Sequence, residues 1–302
     1  MAESIGAALA DAAARLRGAT EFADSDALEL LSRLAGTGRS GLRALRDRAL
    51  SAADRARLDA WLARRIAGEP VQYITGLAAF RDLDLEVTPA VLIPRPETEG
   101  LVEAVLEVLR GEVSRWPRAR VLDLGTGSGA IALAIAQEWP AASVFASDAS
   151  PAALEVARRN ARAARLESRV EFREGDWFDA VGSDERFEIV TSNPPYIADD
   201  EAAALPRDVR DHEPAAALFS GPTGLEALRE IIEQSPRHLV GGGLLALELA
   251  ESRAREVAGW LEGAHDWSGV ELIDDLAGQP RVLLARRERG PAIAPAQWGE
   301  ER

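Results

Sequence analysis

The stretch VLDLGTGSGAIALAIA holds Asp123, Gly125, Gly127 and Gly129 in a D-x-G-x-G-x-G spacing, directly after a strand pattern and before a helical one. Glycine tolerates the backbone angles of a tight turn and lets a ligand approach the main chain closely. Gly125, Thr126, Gly127, Ser128 and Gly129 are therefore a candidate nucleotide-like site, with a purely structural turn as the alternative. The next strand pattern ends in Asp148, 19 residues beyond Gly129. A carboxylate there can accept from ribose hydroxyls, or it can cap the helix that starts at Pro151. The third strand pattern runs into GDWF. Asp176 can accept from an adenine amino group or make a turn, and Trp177 can face a ring or sit in the core.

The fourth strand pattern ends in Asn193-Pro194-Pro195-Tyr196. Asn-Pro alone is a turn signal. At the carboxyl end of a strand in an open α/β sheet, where ligands bind, it offers more. The Asn193 side-chain carbonyl and the Pro194 main-chain carbonyl are two acceptors that can grip both hydrogens of an –NH2 group. Tyr196 adds a flat wall. The expected ligand is a planar amide or an exocyclic amine. His212, His238 and His265 form no paired arrangement and are read as surface or helix-end residues.

The elements that position these residues follow from periodicity. Residues 1–77 read as helices only: Leu9, Ala13 and Leu16 share one face, Leu28, Leu30, Leu31 and Leu34 another, and Leu58, Trp61, Leu62 and Ile66 a third. Gly36, Gly38 and Gly41 break the second run, and Ser51–Asp54 resembles a capping box for the next. Residues 78–93 alternate apolar and polar and predict two short strands as a hairpin linker. PRPETE then feeds a helix through Val108. From Arg120, strands at 120–125, 143–148, 170–175, 187–193, 242–249, 270–275 and 281–287 alternate with helices at 129–138, 151–164, 224–238 and 251–262. This predicts an α/β fold with a seven-stranded, Rossmann-like parallel sheet covered by helices on both faces. The short connection before the last strand makes that strand antiparallel. The domain expectation is a helical domain over 1–77, the hairpin over 78–93, a catalytic domain over 94–288 and a flexible tail over 289–302.

Composition excludes several classes. The 302 residues contain no Cys and no Lys, so disulfides, thiolate zinc sites and lysine-based covalent catalysis are ruled out. The net charge is −15. Residues 1–85 hold 12 acids and 12 Arg, so residues 86–302 carry the whole excess. That weighs against a phosphate-coating function, and no direct nucleic-acid binding is required. No apolar run reaches a membrane span and the N-terminus lacks the pattern of a secretory signal, so a soluble, cytoplasmic protein is expected.

Taken together, these motifs resemble the HemK/PrmC family, N5-glutamine methyltransferases of class-1 peptide chain release factors. The resemblance covers nearly the whole chain: GEPVQYITG (68–76), LIPRPETE (92–99), LDLGTGSGAIALA, SDASPAALEVARRNA, GDWF, NPPYI and HEPAAALFSGPTGLEALREII (212–232) occur in the family's order. It implies a class-I S-adenosylmethionine-dependent methyltransferase fold with a small N-terminal helical domain. It implies that Gly125, Thr126, Gly127, Ser128, Gly129, Asp148, Trp177 and Asn193 hold S-adenosylmethionine, released as S-adenosylhomocysteine. Asn193, Pro194, Pro195 and Tyr196 would bind the glutamine of a Gly-Gly-Gln motif, with Asn193, Pro194 and Tyr196 catalytic and no metal. The helical domain would contact the release factor, and the enzyme is expected to be a monomer. An amide nitrogen is a poor nucleophile, and holding both its hydrogens aligns it with the methyl group and favours positive charge on nitrogen. The chain departs from the family's pattern at AGQPRVLLAR and at LALELAES, the latter leaving Glu248 without an assigned role; Arg95, Glu97 and Glu99 either order the site entrance or form surface ion pairs. Alternatives are a glutamine methyltransferase of a large-subunit ribosomal protein, a DNA or RNA adenine methyltransferase, and a non-catalytic cofactor-binding module.

Overall fold

The computed structural model describes residues 3–288, so the tail expected over 289–302 lies outside the described residues. The chain divides into two compact units. The first runs to Leu77 and contains α1 (Ile5–Leu16), α2 (Ala23–Leu34), α3 (Arg39–Ala44), α4 (Ala52–Ile66) and α5 (Val71–Thr75). Ser51 caps α4 through a 3.0 Å bond from the Asp54 backbone N–H, as its sequence predicts. The apolar faces meet in a core in which Leu16, Leu30, Leu58 and Leu62 are fully buried, each contributing about 1.5–3 kcal/mol over its exposed state. Ile66, predicted on the same face as Leu62, is 46% exposed because it closes the last turn before the chain reverses at Gly68.

The same unit takes in Leu205–His212, inside the stretch expected to be wholly catalytic. Arg65 supplies the tie. Its buried guanidinium donates to Asp26 at 2.7 Å, Thr20 at 3.0 Å and Asp208 at 3.5 Å. A partner 143 residues downstream leaves no local pattern to read.

The second unit begins with a hairpin of β1 (Leu77–Phe80) and β2 (Leu83–Glu86). The strands are shorter than the alternation suggests, and Val87–Ile93 continues as irregular chain. The remaining elements are α6 (Thr98–Gly111), β3 (Arg120–Leu124), α7 (Ala130–Glu138), β4 (Ser143–Asp148), α8 (Pro151–Ala163), β5 (Val170–Glu174), β6 (Phe187–Ser192), α9 (Arg207–His212, within the excursion), α10 (Glu226–His238), β7 (Leu239–Glu248), α11 (Glu251–Glu262), β8 (Trp267–Asp274) and β9 (Pro280–Arg287). The sheet order is β5-β4-β3-β6-β7-β9-β8. β5 through β7 pair in parallel, and β9 is antiparallel to both neighbours. Strand alternation sorts the core. Val121, Ile189, Leu244 and Val282 face one layer with α6 and α7, while Leu122, Val190, Leu245 and Leu283 face the other with α10 and α11. β7 begins three residues earlier than predicted, through Gly241–Gly243, where a register shift against β6 breaks the alternation.

Candidate active site

Strand order reverses between β3 and β6, the two strands from which the chain winds outward in opposite directions. Side-by-side strands with diverging connections leave a crevice beyond their carboxyl ends. Leu124 pairs with Ser192 there, and the Ser192 hydroxyl donates to the Leu124 carbonyl at 2.7 Å. The next residue on one strand is Gly125, and on the other Asn193. The glycine loop and the Asn-Pro turn are therefore neighbours because of register, although nearly seventy residues separate them.

A cavity of about 420 Å³ opens at this point, within the range of small-molecule sites. Gly125, Thr126, Gly127, Ser128, Asp148 and Trp177 line it, and so do Asn193 and Pro195. Three predicted residues stand elsewhere. Gly129 lies behind the wall at the start of α7, where an added Cβ would crowd Leu133 at 3.1 Å and Ala157 at 3.3 Å. Pro194 is buried, and Tyr196 packs against the α10–α11 core layer. Burial, reinforced by the nearby Glu248, pushes the Tyr196 phenol up to about 12.

The loop is shaped for close approach. Gly125 has φ +67°, and a Cβ there would stand 3.3 Å from the Trp177 ring. Trp177 itself adopts φ +40°, an uncommon angle for a bulky residue, which turns the chain at the mouth of the cavity. Asp148 accepts the Gly127 N–H through Oδ2 and the Ser150 N–H through Oδ1, each at 2.8 Å. Ser150 takes the N-cap of α8. Each Asp148 oxygen thus retains acceptor capacity toward a pair of adjacent hydroxyls. This donor set and glycine cradle fit S-adenosylmethionine, whose ribose offers such a pair and whose sulfonium is cationic. The exposed Asp176 also lines the cavity.

Asn193 donates from Nδ2 to Thr98 Oγ1 at 3.1 Å, which leaves Oδ1 as its free acceptor among the described residues. The turn is braced by the segment beginning at Glu213. Ile197 and Phe219 form a parallel bridge, with Ile197 N–H donating to Leu218 O at 3.1 Å and Ser220 N–H to Ile197 O at 2.9 Å. Glu213, 6% exposed, accepts from Arg95 at 2.6 Å and from the Ile93 N–H at 3.2 Å. That bond pair ties the Ala90–Arg95 wall of the cavity to the Pro214–Ala217 wall. Arg95 therefore orders the entrance, whereas Glu97 is exposed and Glu99 accepts the Arg81 N–H at 2.9 Å. Thr98 and Glu213 fall inside the LIPRPETE and HEPAAALFSG segments and Ser192 at a strand end, but nothing in residue type or spacing pointed to these bonds.

Two carboxyls are buried beneath this surface. Desolvation pushes Asp123 up to about 7, against the Thr126 hydroxyl bond that opposes it, and pushes Glu248 up to about 7. Their ordinary values are 3.8 and 4.5. Across that window the folded chain holds protons that the unfolded chain has released, so stability falls as pH rises and the contribution is gone above the folded value. Asp123→Asn fixes a neutral group. Relative to wild type without cofactor, this variant is expected to gain in melting temperature between about pH 5 and about pH 8. Parallel melting curves across that range would contradict the assignment.

Among the described residues no helix is long and apolar enough to cross a membrane, and no group of three or more His, Asp or Glu could hold a metal. Comparison with known proteins gives consistent relatives. A family profile described as "PrmC N-terminal domain" matches residues 7–76, and one described as "Methyltransferase small domain" matches 102–207. The chain is 46% identical over 241 residues to a release factor glutamine methyltransferase of Koribacter versatilis, covering 80% of this chain and 83% of that one. It is 44% identical over 278 residues to the Burkholderia pseudomallei protein of the same name, covering 91% and 95%. Among solved structures, the hMettl16 catalytic domain in complex with a 3'UTR hairpin aligns with TM-score 0.53 at 13% identity, over 82% of this chain and 85% of that one, a likeness of fold alone.

Proposed function

The chain belongs to the family of release factor glutamine methyltransferases, and from that membership we propose that it methylates the side-chain amide nitrogen (N5) of the glutamine in the Gly-Gly-Gln motif of class-1 peptide chain release factors. The methyl donor is S-adenosylmethionine, which when bound supplies an electrophilic methyl group. The observation that carries the reading is the meeting of two strand ends: the glycine loop with Asp148 on one side, and Asn193 with its oxygen left unpaired on the other.

In this reading the chain's own residues do three things. Asp148 and the Gly125–Ser128 backbone hold the cofactor, with Trp177 against its purine. Asn193 Oδ1 and the Pro194 carbonyl accept the two hydrogens of the glutamine amide and fix its nitrogen toward the cavity. The same two dipoles favour positive charge growing on that nitrogen, so no strong base is needed before the proton leaves to water. Tyr196, half-buried beside the turn, supports it from below, and Pro195 supplies wall. The α1–α5 unit, with balanced charge, is the surface offered to the release factor. In this reading the enzyme acts as a monomer in the cytoplasm, without a membrane, and requires no direct nucleic-acid binding.

The test incubates the protein and methyl-labelled cofactor with a release factor, a large-subunit ribosomal protein and DNA in separate reactions. Label is expected on the release factor. Label confined to the ribosomal protein or to DNA would overturn the reading.

A further inference from the structure

Asn160 lies on the buried face of α8, is 2% exposed, and serves no part of the methyl transfer proposed above. A side-chain amide has two hydrogens to give and an oxygen to accept with, and leaving them unmet in a buried place is costly. Each finds a backbone partner. The Oδ1 atom accepts the Glu86 N–H at 2.6 Å, and Nδ2 donates to the Glu86 carbonyl at 3.0 Å and to the Ser128 carbonyl at 2.9 Å. The partners fix the orientation, since a flipped amide would set its oxygen against two carbonyls.

The partners belong to two places. Glu86 ends β2, in the hairpin that the sequence presents as a linker, and does not line the cavity. Ser128 lies in the glycine loop and does line it. The Ser128–Gly129 peptide is pinned at both ends, its oxygen by Asn160 and its N–H by the Thr126 carbonyl at 2.8 Å. The hairpin is itself anchored. At its turn the Arg81 N–H donates to Glu99 at 2.9 Å, and the guanidinium reaches Glu103 on α6 at 2.8 Å and Glu138 on α7 at 2.7 Å. Phe80 and Leu85, each 1% exposed, bury it in the core layer with α6 and α7.

We infer that Asn160 is a positioning residue of the cofactor site, and that the β1–β2 hairpin is a strut of that site rather than a linker. The amide meets the Glu86 backbone at both its N–H and its carbonyl, as a neighbouring strand would. Its remaining hydrogen sets the Ser128–Gly129 peptide. The curve of the glycine loop thus depends on a strand that lies outside the cavity. The preceding residue, Arg159, pairs with the Glu86 carboxylate at 2.9 Å, but the two side chains are 35% and 39% exposed, so this ion pair contributes little.

This inference rests on the cofactor reading of the glycine loop, and the test keeps it apart from the choice of substrate. In the full wild-type chain, amide hydrogen exchange at Glu86 and Arg81 is measured with and without S-adenosylmethionine. Coupling between two sites is reciprocal, so the cofactor is expected to slow exchange at Glu86 about tenfold more than at Arg81. Equal slowing at the two amides is what general stabilisation gives, and it would overturn the strut. Asn160→Asp has nearly the same shape, but when ionised it has no hydrogen to give and sets an acceptor against both carbonyls. It is expected to weaken cofactor binding, by calorimetry, about 10-fold to 10²-fold, with faster exchange at the Gly129 amide and with kcat at saturating cofactor within about threefold. Arg159→Gln, which breaks only the exposed ion pair, should keep cofactor affinity within about twofold. A merely structural role would lower the melting temperature and the active fraction and leave the affinity of the folded fraction unchanged. That result in Asn160→Asp, or an equal loss of affinity in Arg159→Gln, would overturn the assignment. Should Asn160→Asp fail to fold, the wild-type exchange decides. A wild type that binds the cofactor and methylates no release factor would overturn the methyl-transfer reading and leave this inference standing.

Discussion

Asn193→Ala is expected to lower turnover by about 10²–10³-fold while cofactor affinity stays within about twofold. The argument is one of geometry. Asn193 follows Ser192, whose pairing with Leu124 sets the turn beside the glycine loop. Its Nδ2 is committed to Thr98, so the group lost toward the substrate is a single fixed carbonyl. Alanine leaves the amide of the incoming glutamine held by one acceptor rather than two, free to rotate away from the methyl group. The lost dipole is also one that favours positive charge at the reacting nitrogen. In the proposed reading most of the cofactor contacts come from the loops after β3, β4 and β5, and Asn193, expected to touch the cofactor as well, contributes the smaller part. Single-turnover kinetics with calorimetry separates the two effects. A variant that keeps wild-type turnover, or one that loses cofactor affinity together with turnover, contradicts the role assigned to Asn193.

Asp148→Ala should have the opposite signature, a loss of cofactor affinity of about 10²-fold or more, from two hydrogen bonds to a charged acceptor. The carboxylate serves two partners at once. It receives the Gly127 and Ser150 N–H groups at 2.8 Å and so fixes the loop, and its remaining lone pairs are aimed at the cavity. Alanine removes both functions. Burial holds the Asp148 carboxyl above its ordinary value, and the backbone bonds from Ser150 and Gly127 partly offset this. The ionised form is the better acceptor for hydroxyls. Cofactor affinity is therefore fully present above the folded value and weakens as pH falls through it. Asp148→Asn, which cannot titrate, should lose that pH dependence along with most of the affinity. Titrations of wild type and Asp148→Asn across the acidic range check this, and identical slopes in the two proteins would contradict it.

Much of this site was legible before any coordinate. Strand patterns ending at 125, 148, 175 and 193 put four chemically distinct residues at carboxyl strand ends, and a parallel sheet gathers such ends on one edge. Gly125, Asp148, Trp177 and Asn193 do line one cavity. Gly129 shares the glycine spacing but serves packing, because the pattern D-x-G-x-G-x-G does not distinguish a glycine that admits a ligand from one that admits a neighbouring helix. What remained hidden was the bracing. Thr98 meets Asn193 across 95 residues, Arg95 meets Glu213 across 118, and Arg65 meets Asp208 across 143. Arg95 was marked at the entrance and Thr98 and Glu213 lie in motif segments, but no local pattern names a partner that only the tertiary fold brings near. The Leu205–His212 excursion was illegible for the same reason. The Leu239–Gly241 start of β7 was missed because the glycines that follow Val240 carry no alternation to read.

The central claim is that Asn193 presents an acceptor to a glutamine amide, so the most direct measurement maps the methyl group on the substrate. A class-1 release factor is incubated with this protein and labelled S-adenosylmethionine, digested, and sequenced by mass spectrometry, alongside a release factor whose Gly-Gly-Gln glutamine is replaced by alanine. The account predicts one methyl group on the side-chain nitrogen of that glutamine and none on the replaced substrate. A methyl group at any other residue, or equal labelling of the two release factors, would contradict it.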